Sequence, residues 1–163
     1  MTPDWLQIIE SHHAKAHPND GYNLVTRPPA SRSQLDELGD ALGIQFPVDF
    51  RSLYLTCNGV GVVHKDDPDK IWWLFRPAEE IEGFAADVRN WFRKTHNKYA
   101  DRFFPFIDFS NGDGIGYVVD ESGIIIDGLF CFEHEKYRFK ADQDVNDFLS
   151  HAPVTIEEFL TCM

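Results

Sequence analysis

The chain has 163 residues, of which 43% are hydrophobic and 14% aromatic, enough for a packed core and unlike a disordered polypeptide. Its formal charge of −12 at pH 7 argues against nucleic acid or an anionic membrane surface as partner, since both need a basic field, and favours basic partners instead. Cys57, Cys131 and Cys162 form no CxxC pair, the N-terminus shows no signal peptide and no segment spans a bilayer, so a cytoplasmic protein in a reducing compartment is expected.

Thr2 and Pro3 suit a helix start, with Trp5, Ile8 and Ile9 on one face to about Ala14. His17–Gly21 reads as a loop, and Arg27-Pro28-Pro29 stays extended because proline disfavours α conformation in the residue before it. Ser31 or Ser33 can cap the next helix, with Gln34 or Asp36 as box partner, and Leu35, Leu38, Ala41 and Leu42 form its apolar stripe up to Gly43. A further helix follows at once: Pro47 sits in its first turn, Phe50, Leu53 and Tyr54 share one face, and Asn58-Gly59 supplies the left-handed stop. The period then changes. Val60–Val63 and Ile71–Phe75 predict a hairpin with a longer polar connection over His64–Lys70.

Arg76-Pro77 opens the clearest helical pattern, in which Ile81, Phe84, Ala85, Val88, Trp91 and Phe92 recur at three- and four-residue spacing. Beyond it, strands are predicted over Phe103–Phe109, Ile115–Asp120, Ile124–Ile126 and Leu129–His134, with a short one at Arg138–Lys140. Asn111-Gly112-Asp113-Gly114 and Glu121-Ser122-Gly123 provide the turns of an antiparallel meander. Asp142 or Asp144 can cap a helix through Val145, Phe148 and Leu149, and a last turn is expected around Ile156–Leu160. Strands in runs, with helices before, between and after them, give an α+β class.

Catalytic and metal-binding patterns are weak. His13 and His17 have i, i+4 spacing, but Pro18 puts His17 at the helix end and no further ligand cluster accompanies them and His12, so no metal is expected. In a strand, His134 would face away from Glu133 and Glu135, which reads as surface alternation. Gly112-Asp113-Gly114-Ile115-Gly116 leads into a strand rather than a helix, so it reads as a turn in which Asp113 stabilises its own backbone, not as a phosphate cradle. The apolar settings of Cys57 and Cys131 predict inert thiols.

Leu42-Gly43, Phe46-Pro47 with Phe50 and Leu53, Asn58-Gly59, Phe104-Pro105-Phe106, Gly112-Asp113 and the closing Phe132-Glu133-His134 with Val145–Leu149 resemble, in order and spacing, the SUKH superfamily. That superfamily contains fungal cell-wall-assembly and killer-toxin-resistance regulators and many bacterial immunity proteins that neutralise toxins. The resemblance is strongest over residues 31–149, within one SUKH-like domain spanning residues 1–163 that carries residues 1–30 as an N-terminal extension. It implies a mostly antiparallel mixed sheet with helices packed on it, serving as a binding scaffold without catalytic residues or cofactors. Pro47, Asn58, Gly59, Gly112 and Asp113 are then structural.

For an acidic member the resemblance implies an immunity protein bound to a cognate toxin, and a basic toxin such as a nuclease is the partner that electrostatic steering would favour. A regulatory scaffold holding a cellular protein is the alternative binding role, and a small hydrolase or transferase the third. The candidate partner surface is Asp66, Asp67 and Asp69 with Trp72 and Trp73 beside them, since aromatic anchors ringed by charge make interface hot spots. The competing reading of this segment is a disordered acidic loop beside a buried strand.

Overall fold

The β-branched and aromatic runs pair into one seven-stranded sheet in the computed structural model, which describes residues 1–162. Its strands are β1 (Tyr22–Thr26), β2 (Val60–His64), β3 (Asp67–Phe75), β4 (Phe103–Asp108), β5 (Gly114–Val118), β6 (Leu129–Phe132) and β7 (Leu149–Ala152). They lie side by side in chain order, and every pairing is antiparallel, so the sheet is the antiparallel meander expected. The helices are α1 (Trp5–Ala16), α2 (Arg32–Leu42), α3 (Val48–Thr56), α4 (Ala78–Phe92), α5 (Asn97–Ala100) and α6 (Ile156–Cys162), completing an α+β architecture.

Consecutive residues of a strand point to opposite faces, and the central strands are buried on both. On one face Val118 of β5 joins Phe103, Phe132 and Phe148 against Val88 and Phe92 of α4, with Phe92 stacked on Phe132 at 5.0 Å. On the other, Tyr117 joins Phe106 and Phe75 around Phe50 of α3, which meets Phe106 edge-on at 5.0 Å. The terminal helices α1 and α6 pack on each other over this second core. The Trp5 indole N–H donates to Ser52 Oγ (2.9 Å), and His12 Nδ1–H donates to the Leu160 carbonyl (3.1 Å).

β3 and β4 meet at one residue pair, Phe75↔Ile107. The seam is closed just beyond by Arg76, whose backbone N–H reaches the Phe106 carbonyl. Its guanidinium donates twice to Asp108 Oδ2 (2.9 and 2.6 Å) and once to Glu80 (3.1 Å). A forked guanidinium suits this two-point hold on a carboxylate.

Helix ends follow local chemistry, with three shifts. α1 is capped by Asp4, whose carboxylate accepts the Gln7 N–H, rather than starting at Thr2. Ser31 and Gln34 form the reciprocal capping box of α2, and Gly43 ends it at φ +69°. Pro47 is the N-cap of α3 rather than a residue of its first turn. α3 closes at Thr56, one turn before Gly59, the residue that carries the left-handed φ of +105°. A side chain at Gly59 would sit 3.2 Å from the Phe75 carbonyl and the Pro77 nitrogen, so both conformation and space require glycine.

Several elements differ from the sequence expectation. β1 was not anticipated, because Tyr22-Asn23-Leu24-Val25-Thr26 lacks alternation; its register against β2 creates it. The expected helix through Val145, Phe148 and Leu149 is instead one 3₁₀ turn, Val145–Asp147, followed by β7, which pairs residue for residue with β6. Ile124–Ile126 makes only the bridge Val119↔Ile125, and Arg138–Lys140 is not a strand. β6 stops at Phe132, so His134 opens a 3₁₀ turn, His134–Lys136, instead of extending a strand.

Candidate functional site

The polar segment His64–Lys70 is a tight hairpin, not a long loop. β2 ends at His64, Lys65-Asp66 make the turn, and β3 begins at Asp67. Val63 pairs with Ile71 while His64 pairs with Asp67, so Pro68, Asp69 and Lys70 bulge out of the ladder. Proline fits there because a bulged residue has no ladder bond to donate. The turn is tied back by the Lys65 N–H to the Gly21 carbonyl (2.9 Å) and the Asp66 N–H to His64 Nδ1 (3.2 Å).

This geometry holds three carboxylates in water. The Asp66 side chain is 78% exposed, with His64 Nδ1 3.7 Å away, and Asp67 and Asp69 are exposed and carry no ion pair among the described residues. The two tryptophans separate, because neighbours on a strand face opposite ways. Trp72 is 38% exposed, with the Lys70 ammonium 3.7 Å above its ring. Trp73 is 7% exposed and lies under the Arg27 guanidinium, 4.9 Å from the ring centre. The hairpin therefore presents Asp66, Asp67, Asp69 and Trp72 outward, and Trp73 braces it from within.

The residues read as structural motifs have more specific tasks than spacing revealed. Asn58 is buried and caps α4 from another part of the chain: its Oδ1 accepts the Ala78 N–H (2.7 Å) and its Nδ2 donates to Glu79 Oε2 (2.8 Å). Pro77 precedes α4 and offers no side-chain cap, so the distant asparagine supplies it. Burial opposes ionisation of Glu79, but its own backbone N–H, the Asn58 amide and Arg27 outweigh it and hold its carboxyl below the usual range.

At Gly112 (φ +101°) a side chain would meet the His134 ring at 3.1 Å, and Asp113 reaches across rather than serving its own turn. The turn is made by Asn111, whose Oδ1 accepts the Asp113 N–H. Asp113 Oδ1 accepts both the backbone N–H (2.8 Å) and the Nδ1–H (2.6 Å) of His134. Glu133 pairs with Lys136, so His134 is held by Asp113 and by neither adjacent glutamate.

Two exposed aromatics were not anticipated. Trp91, placed in the buried stripe of α4, is 41% exposed, and its ring lies 6.2 Å from that of Phe139, which is 64% exposed at φ +60°. Trp91 and Phe92 are consecutive on a helix, about 100° apart, so a narrow core contact accommodates only one of them. That signal was present in the sequence.

Burial raises the thiols of Cys57, to about 11, and Cys131, to about 12, so both are protonated at neutral pH. His12, His13 and His17 do not converge as ligands: His12 is held by Leu160, as above, and His17 Nδ1–H donates to Asp20 (2.8 Å). Among the described residues no helix is long and apolar enough to cross a membrane.

The model of the SMI1 / KNR4 family (SUKH-1) matches residues 29–151, which run from just before α2 to β7 and include the hairpin, the Asn58 cap and the Asp113–His134 tie. No curated protein matches the chain. α1, β1 and α6 lie outside the matched residues.

Proposed function

We propose, from the premise that this chain belongs to the SMI1 / KNR4 family (SUKH-1), that it is a non-catalytic immunity protein of the cytoplasm, which binds a basic toxin and blocks it. The observation that carries this reading is the β2–β3 hairpin, which holds Asp66, Asp67 and Asp69 exposed around the half-exposed Trp72 in a chain of net charge −12. Exposed carboxylates offer negative charge to a cationic partner, and the field of the whole molecule draws in a cationic face such as that of a nuclease. Trp72 supplies the apolar contact around which such an interface forms.

The test is capture of partners by the tagged protein from its native lysate at low and moderate salt, followed by an activity assay on each partner. The expected outcome is a basic, toxic enzyme inhibited at one-to-one stoichiometry. Charge reversal by Asp66→Lys with Asp67→Lys should then slow association roughly tenfold at low salt, and the difference should vanish above about 0.5 M salt as screening shortens the field. Association that ignores both salt and charge reversal refutes the surface. Recovery of non-toxic cellular proteins alone would instead support a regulatory scaffold.

A further inference from the structure

β3 has β2 along one edge, but on the other it meets β4 only at Phe75↔Ile107. In that register Trp72 would stand opposite Ser110, and the ladder does not reach it. Ser110 takes a left-handed φ of +59°, uncommon for a residue with a side chain, and its N–H donates to Asp108 Oδ1 (2.7 Å) instead of to β3. The other oxygen of that carboxylate holds Arg76. One buried aspartate thus closes the seam on one side of the Phe75–Ile107 pair and ends the ladder on the other. The space left beside β3 is a hollow of about 270 Å3, open to solvent, bordered by Lys70, Ile71, Trp72 and Trp73 and, across it, by Asp108 and Ser110. Consecutive residues alternate between the two faces of a strand, so a hollow that touches four in a row lies along its edge and not on either face.

A strand edge carries a row of backbone N–H and C=O groups, and what matches such a row is another extended chain. Exposed edges are kept from pairing by charge and proline. The first half of β3 has both, in Asp67, Pro68, Asp69 and Lys70, whereas Ile71–Leu74, about 13 Å of strand, has neither. We propose that the free edge of β3 over Ile71–Leu74 accepts an extended segment of the partner protein as an added antiparallel strand in line with β4, with an apolar side chain against Trp72 and, following it, basic residues that reach Asp69, Asp67 and Asp66. Chain direction sets that order. An antiparallel neighbour of β3 runs from Leu74 towards Asp67, so its C-terminal end arrives at the exposed carboxylates. A second copy of this chain is a poor occupant, because two molecules of net charge −12 repel. This rests on the reading of the chain as a partner-binding protein, and makes backbone pairing as well as charge what holds the partner.

The test needs no identified partner. The full chain is titrated with the peptide acetyl-Thr-Val-Thr-Val-Thr-Lys-Lys-amide and followed by amide NMR. Saturable shifts at Ile71–Leu74 are expected, with slower hydrogen exchange of the edge amides. An added strand uses every second backbone N–H, so N-methylation of one alternate set of peptide residues should weaken binding about tenfold or more, and of the other set less than about twofold. Moving the lysines to the N-terminus should cost about threefold in the natural chain and nothing in the Asp67→Lys, Asp69→Lys double variant. Absence of shifts at Ile71–Leu74 overturns the proposal, as does equal tolerance of both methylation patterns, the mark of side-chain capture. Tighter binding of the lysine-first peptide overturns the antiparallel direction. Dimerisation that protects the same amides without peptide overturns the foreign strand in favour of a second copy. Alternating binding by a chain that neutralises no toxin would refute the immunity reading and leave the edge intact, whereas a captured toxin that leaves these amides exchanging freely would refute the edge alone.

Discussion

Asn58→Ala removes the cap of α4 without touching α4. Two hydrogen bonds disappear: the Ala78 N–H loses its acceptor at 2.7 Å, and Glu79 loses a donor at 2.8 Å. Ala78 is buried, so water does not replace the acceptor freely. Loss of an N-cap costs ~0.5–2 kcal/mol, and an unsatisfied buried donor ~1–3 kcal/mol. These figures overlap in the Ala78 N–H, so the expected loss is about 2–3 kcal/mol. Urea unfolding followed by far-UV circular dichroism should show a lower midpoint with an unchanged slope, because the surface exposed on unfolding is the same.

The corresponding fall in Tm is about 4–12 °C, at roughly 2–4 °C per kcal/mol for a chain of this length. Asn58→Asp keeps the acceptor but sets a carboxylate against Glu79, so it should fall between the two. The cap also sets a pH dependence. Glu79 has a folded pKa below its unfolded value, so its contribution is present above pH ~4.5 and is lost as pH falls through the folded pKa. In Asn58→Ala that acid sensitivity should shrink. A loss below ~0.5 kcal/mol, the level of an ordinary surface substitution, refutes the cap argument.

Arg76→Met strands the nearly buried Asp108 carboxylate and should cost about 2–3 kcal/mol in denaturant unfolding, below the ~3–5 of a fully buried pair because Arg76 is partly in water. Adding Asp108→Asn should recover part of it, and a strictly additive double variant would show that the pair does not couple. Thiol labelling at pH 8 should modify Cys162 quickly, while Cys57 and Cys131 react only after unfolding; rapid reaction of Cys57 would contradict its burial. The His13 pKa is depressed in the fold, so the unfolded chain binds the extra proton and stability should decline as pH falls from just above 6.5 through the lower folded value. That decline should be shallower in His13→Phe, measured as Tm against pH.

Much of this molecule is determined by short-range rules that one sequence carries. The Ser31–Gln34 capping box, the stop at Gly43, the apolar spacing of α4 apart from Trp91, and the runs Val60–Val63, Ile71–Phe75 and Phe103–Phe109 depend on neighbours within a few residues, and they stand in the fold essentially as read. The acidic hairpin was likewise legible as a place, since Asp66, Asp67 and Asp69 are contiguous. What tertiary structure alone decided are the long-range partners. β7 becomes a strand, and the short run of β1 is fixed as one, by the registered edges that β6 and β2 offer them. Asn58 became the cap of α4 because the chain brings it to a proline-led helix twenty residues on, and Asp113 closes on His134 for the same reason. Strand alternation sends Trp72 out and Trp73 in, but which face is covered depends on helices far away in sequence. The open edge of β3 is the clearest case: it exists because β4 turns away at Ser110, and a free edge is a property of what does not lie beside it, which no single segment encodes.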